Sequence, residues 1–313
     1  MSAANRSLHG EPGALAASDS SNASDASDAA AGQLAGWIDQ EIAWPGGPVL
    51  RARLHGRRPG DGARSPGLPL VLHFHGGAFV AGSLDSATPV AQLLAAAGSI
   101  VLSIDYPLAP ANPFPAAAEA GHAAALWLHR NRRRLGGSDA PVLLAGEEAG
   151  GNLAAAVALM ARDRHGPPLA GQILLSPMLD PCLGTASLRQ ADLAAPGCPW
   201  ARGWASYLSR VADAGHPYAA PAICSRLAQL APTLVVTASD DPMRDESQAF
   251  AARLREAGVA VELAIVRATT GWPQAYWQAT PATTTQPAQL RERLRRFLAA
   301  RRIAASPKGD SRP

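Results

Sequence analysis

The stretch APVLLAGEEAGGNLAAAVALMARDR (Ala140–Arg164) decides the fold of this chain. Its first part, Ala140 to Gly146, is a short apolar run closed by a glycine, as in a strand buried on both faces. Its second part, Glu148 to Arg164, is Ala-rich and predicts a helix. No linker separates the two, so the strand must turn directly into the helix. Gly146, Gly150 and Gly151 leave the backbone room for that turn.

The same alternation continues on both sides. Pro48 to Leu54, Pro69 to His75 and Ser99 to Tyr106 read as strands before it, with helices over Asp85 to Ala97 and Pro115 to Arg134. Gly171 to Pro177, Pro232 to Ser239 and Val259 to Val266 read as strands after it, with helices over Arg244 to Ala257 and Ala288 to Ala300. Apolar strands separated by helices predict an α/β domain whose mostly parallel, doubly wound sheet carries helices on both faces. The stretch from about 182 to 218 breaks the pattern and is expected to form a small cap over one end of the sheet. Trp200, Trp204 and Tyr207 there fall on one stripe of a short helix.

Residues 1–32 hold almost no large apolar side chains, and the segment 305–313 is similar, so both are expected to be disordered tails around a single domain over 33–304. In 313 residues, 47% hydrophobic and 17% charged, there is ample material for a core. The longest uncharged runs, such as Val90 to Leu102, are too short and interrupted to span a bilayer. A net charge of +3 is not concentrated enough to point to nucleic acid. The arginines at 132–134 and 291–302 read as solvated helical faces. Cys182, Cys198 and Cys224 have no CxxC spacing and suggest neither a disulfide framework nor a zinc site. With no basic-then-apolar leader at the N-terminus, a cytoplasmic location is expected.

Several longer segments carry a family resemblance. HFHGGAFVAGSLDS (His73–Ser86), VLSIDYPLAPANPFPAAAEAG (Val101–Gly121), the strand–turn–helix of Leu143–Arg164 and DDPMRDESQAFAARLREAGVAVEL (Asp240–Leu263) occur in the order found in the hormone-sensitive-lipase-like carboxylesterases. The chain resembles that branch of the α/β-hydrolases from about Ile42 to Leu298. The resemblance implies an α/β-hydrolase fold and a serine esterase site: a Ser on the elbow, a His base, an acid and a backbone oxyanion hole.

Residue by residue, the expected site departs from that pattern. Where the family has Asp-Ser-Ala at the elbow, this chain has Glu147-Glu148-Ala149, which puts Glu148 at the nucleophile position. Where the family has His-Gly-Phe, this chain has RATTGWPQ (Arg267–Gln274), which puts Thr270 at the base position. The acid is retained as Asp241. The oxyanion donors implied by the resemblance are the backbone amides of Gly77, Ala78 and Ala149, with Ala78 in place of the third Gly of HGGG. If that position needs positive φ, its N–H would be misaimed. The bracing pattern Tyr-Arg-Leu-Ala-Pro-Glu-His has also drifted, to Tyr106 through Asn112.

These replacements imply a pseudo-esterase that keeps a pocket for a small apolar or ester-like ligand. An alternative is an active hydrolase of ester, epoxide or haloalkane type that uses Glu148 unconventionally, although its second step lacks a base. A third class, an interaction protein docking through the Trp-bearing stretch, requires an exposed aromatic patch. An anion suits the helix N-terminus after the turn, and Glu148 has the reach to fold back into the oxyanion hole and block it. Glu147, Glu148 and Asp241 offer hard-cation chemistry, but neighbouring residues on a turn point apart, so no metal is expected. No cofactor is expected. His75, His122 and His129 read as structural, and Ser83, Ser103 and Ser176 lack the elbow setting.

Overall fold

The structure, a computed structural model, describes residues 36–45, 47–56, 67–137, 139–194, 198–266 and 286–305. The strands are β1 (Trp37–Ile42), β2 (Leu50–His55), β3 (Leu70–Phe74), β4 (Ile100–Ile104), β5 (Val142–Glu147), β6 (Gly171–Leu175), β7 (Thr233–Ala238) and β8 (Val261–Val266). They form one sheet in the order β1-β2-β4-β3-β5-β6-β7-β8. β1 with β2 and β2 with β4 pair antiparallel, and every later pairing is parallel.

The helices are α1 (Leu84–Ala96), α2 (Ala116–Arg130), α3 (Arg132–Gly136), α4 (Ala149–Asp163), α5 (Ala186–Ala194), α6 (Pro199–Tyr207), α7 (Arg244–Glu256) and α8 (Gln286–Ala305). One face of the sheet is covered by α1 and α8, through Val90, Leu94, Leu294 and Phe297. The other is covered by α2, α4 and α7, through Leu128, Leu153, Val157 and Phe250. β3, β4, β5, β6 and β7 are buried along their whole length, which is why they read as mostly apolar runs.

The crossover from β3 runs to β4 on one side, and that from β5 runs to β6 on the other, so the direction reverses between β3 and β5. This is the switch point where doubly wound sheets open a crevice at their carboxyl ends. The expected α/β-hydrolase sheet is therefore present, with two differences of detail. β1 was not expected as a strand: it is an edge strand with half-exposed residues and only Ile42 fully buried. The helix expected over Pro115 to Arg134 is two helices, parted at Asn131, whose side-chain amide donates to Trp127 O at 2.9 Å. The expected tail over 1–32 and residues 306–313 lie outside the described residues.

Candidate functional site

The site is built where four strand ends meet. β5 runs into α4 with Glu148 alone between them, at φ 54° and ψ −116°. That conformation is costly for a residue with a side chain, and the surroundings impose it. Glu148 N–H donates to Leu175 O at 3.0 Å. Its carbonyl accepts from Met178 N–H at 3.0 Å and from Asn152 N–H at 3.1 Å. The Asn152 amide then ties Met178 O and Ala219 O at 2.9 and 3.1 Å. Gly150 is required here because a Cβ would overlap the carbonyl of Phe74 on β3.

The Glu148 side chain turns back towards the loop that follows β3. Its Oε2 accepts from two consecutive amides, Gly77 N–H at 2.5 Å and Ala78 N–H at 3.1 Å. Its Oε1 accepts from the indole Nε1–H of Trp200 at 2.6 Å. The carboxylate is buried, and burial lifts its pKa above the ordinary value, opposed by these three donors. Two of the three expected oxyanion amides thus converge on one oxygen of residue 148. Ala149 opens α4 and is fully buried.

The concern over Ala78 resolves against the expectation. Ala78 does adopt positive φ, 49°, yet its N–H is aimed at the same oxygen as that of Gly77. Phe79 follows at φ 65°. Packing holds this left-handed pair: Phe79 stacks face to face on Tyr207, 3.9 Å between centroids, and lies 5.1 Å from Trp204. Trp200, Trp204 and Tyr207 are all buried, so the stripe faces inward and offers no exposed aromatic patch for docking.

Glu147 and Glu148 point apart. Glu147 is fully buried and reaches the opposite way, its Oε2 2.7 Å from His73 Nε2 and its Oε1 accepting Gly76 N–H at 3.0 Å. His73 Nδ1 is 3.0 Å from Ser103 Oγ. This chain of three side chains crosses β4, β3 and β5 beneath the loop. His75 donates from Nδ1 to Gly76 O at 2.7 Å and stacks on Tyr106, 4.2 Å between centroids, while Tyr106 OH donates to His75 O at 2.8 Å. Burial holds its pKa below the ordinary imidazole range, as expected of a structural histidine.

Asp241, after β7, is buried as well. It accepts from Thr237 Oγ1 and from Met243 N–H at 2.9 Å, and burial raises its pKa against those bonds. Thr270, expected beside it, lies outside the described residues. Ser83 caps α1, and Ser103 serves His73. Among the described residues no group of three or more His, Cys, Asp or Glu side chains is arranged to hold a metal ion, and no helix is long and apolar enough to cross a membrane. Sequence reasoning missed the roles of His73 and Trp200. The position of His73 inside an otherwise apolar strand was available as a signal, but the target of the Trp200 indole was not.

The sequence profile of a family described as alpha/beta hydrolase fold matches residues 71–270. Carboxylesterase NlhH of Mycobacterium tuberculosis is 36% identical over 238 residues, covering 72% of this chain and 68% of that protein. An ethyl acetate hydrolase from Pseudomonas putida is 32% identical over 236 residues, covering 73% and 72%. A hyperthermophilic esterase from the archaeon Pyrobaculum calidifontis has a similar structure, with a TM-score of 0.72 at 32% identity over 86% of each chain.

Proposed function

Since the chain belongs to the α/β-hydrolase fold family, in its hormone-sensitive-lipase-like carboxylesterase branch, we propose that it is a pseudo-esterase. In this reading Glu148 stands where the branch presents its nucleophilic Ser, Thr270 stands where it presents its His, and Asp241 is the retained acid with no imidazole to orient. The observation that carries the proposal is the Glu148 carboxylate bonded to the amides of Gly77 and Ala78. These amides, with that of Ala149, are the donors a tetrahedral intermediate would need.

Loss of the Ser or the His costs about 10⁶ in kcat, and the losses do not add. Binding and an oxyanion hole alone retain roughly 10³–10⁴-fold over water. Here the side chain of residue 148 takes the place of the substrate oxyanion, which removes even that remainder. The alternative, Glu148 as a nucleophile that becomes acylated or alkylated by the substrate, is not favoured by the geometry. Both its oxygens are tied by donors that stabilise the ground-state anion, and breakdown of an alkyl ester would need a base to activate water. A small apolar or ester-like ligand between α6 and the sheet would enter by displacing Trp200. Cys182, Cys198 and Cys224 form no disulfide, which supports the cytoplasmic reading.

Initial rates on p-nitrophenyl acetate, wild type beside Glu148→Ala, test the proposal. Wild type at the buffer rate is the expected result. A saturable wild-type rate that disappears in Glu148→Ala would overturn it and make Glu148 a working nucleophile.

A further inference from the structure

The donors around Glu148 come from two separate parts of the molecule. Gly77 and Ala78 belong to the loop after β3, whereas Trp200 belongs to α6, between β6 and β7. The carboxylate bridges them, one oxygen on the amide pair and the other on the indole. All three partners are donors, Ala78 and Trp200 buried and Gly77 half-buried, so the arrangement matches an ionised carboxylate with its lone pairs divided between two elements. α6 sits on the same loop along its whole inward stripe. Trp200 is one turn before the contact of Gly203 with Ala78, and Tyr207 is one turn after it, stacked on Phe79.

We propose that the Gly77 and Ala78 amides together with the Trp200 indole form a receptor for a small monocarboxylate, filled in this chain by its own residue 148, and that occupancy of this receptor docks α6 onto the loop. A tethered carboxylate has a high effective concentration, so a free acid does not displace it. Shortening residue 148 to Ala removes the γ-carbon and the carboxyl group, a fragment that acetate replaces atom for atom. With the side chain gone, the Ala78 amide and the indole N–H are buried donors without partners and the Gly77 amide a half-buried one, and an anion of this shape restores all three. The inference deepens the pseudo-esterase reading and rests on it for one point, that no turnover competes for the site.

The test is hydrogen exchange of the peptide spanning α6, read by mass spectrometry on the full chain. Glu148→Ala is expected to speed exchange over Pro199–Tyr207 about tenfold or more. Sodium acetate should restore the protection, while sodium chloride of equal ionic strength and acetamide, the neutral analogue, should not. Trp200→Phe keeps the ring but lacks the donor. It should also speed exchange, with no response to acetate because Glu148 still fills the amide pair. This second variant keeps the test decisive if Glu148→Ala fails to fold.

Exchange over α6 unchanged in both variants would overturn the receptor, as would restoration by chloride or acetamide equal to that by acetate. An esterase rate in the wild type would instead remove the pseudo-esterase reading and leave the exchange result standing, so the two failures are separable.

Discussion

Gly203 on α6 and Ala78 on the loop after β3 meet with no space for a side chain between them. A Cβ on Gly203 would overlap the Ala78 carbonyl and lie 2.7 Å from Ala78 Cβ. The obstacle is backbone already held at positive φ, so it cannot yield as a flexible side chain would. Alanine at 203 would gain about 1 kcal/mol of helix propensity, but the clash outweighs it. Gly203→Ala is expected to destabilise the protein by about 1–3 kcal/mol, measured by urea denaturation. Equal or greater stability would mean that α6 is free to shift away from the loop.

On the proposed assignment of residues 148 and 270 to the nucleophile and base positions, supplying Ser and His there is expected to produce esterase chemistry. The Glu148→Ser/Thr270→His double variant should hydrolyse p-nitrophenyl acetate at least about tenfold above wild type, because the amides of Gly77 and Ala78 already converge on the elbow. Glu148→Ser alone should stay near background for want of a base. A double variant at background would mean that more of the machinery than residues 148 and 270 has been lost.

Breaking the buried pair beneath the loop is expected to be severe. His73 and Glu147 are both fully buried at 2.7 Å, and Glu147 also holds Gly76 N–H. Glu147→Ala strands His73 and frees that amide, at a cost of about 3–5 kcal/mol in chemical denaturation. Glu147→Gln, which can keep one acceptor, should cost less. Equal stability of all three proteins would rule out a structural role for the pair.

The pH dependence of stability follows from the direction of the Glu148 shift. Burial raises its pKa in the folded chain above the ordinary 4.5. The folded state therefore binds the proton more tightly than the unfolded state. Between 4.5 and the raised folded value, stability falls as pH rises. Asp241 and Glu246 are shifted the same way by burial and act in the same direction. Thermal melts across this window should show Tm declining with pH, and the decline should be shallower in Glu148→Ala. An unchanged slope would mean that Glu148 is ionised equally in both states.

Much of the fold was legible because the central strands are buried on both faces and so carry a mostly apolar code, broken by single residues such as His73, Ser103 and Glu147. β1 was not, since its residues WIDQEI are half exposed and mix acidic with apolar side chains at a sheet edge. The break at Asn131 escaped for a different reason: the composition is helical throughout, and the interruption is local. At the site, the turn was readable from its three glycines, and so was the reach of Glu148. The His73–Glu147 contact joins residues 74 apart, brought together by the register of β3 against β5, which no local pattern states. Trp200 was placed on an inward stripe, but only the tertiary seat of α6 directs its N–H to residue 148.

The turn at residue 148 is held by backbone bonds to Leu175, Met178 and Asn152, and these bonds do not involve its side chain. The turn is thus a chassis that presents whatever group the codon supplies, in the same place and at the same angle. Inheritance of the scaffold and inheritance of the chemistry are separable here. On the proposed reading, a lineage carrying this turn exchanges hydrolysis for an internal anion by changing side chains alone, without rebuilding the sheet beneath.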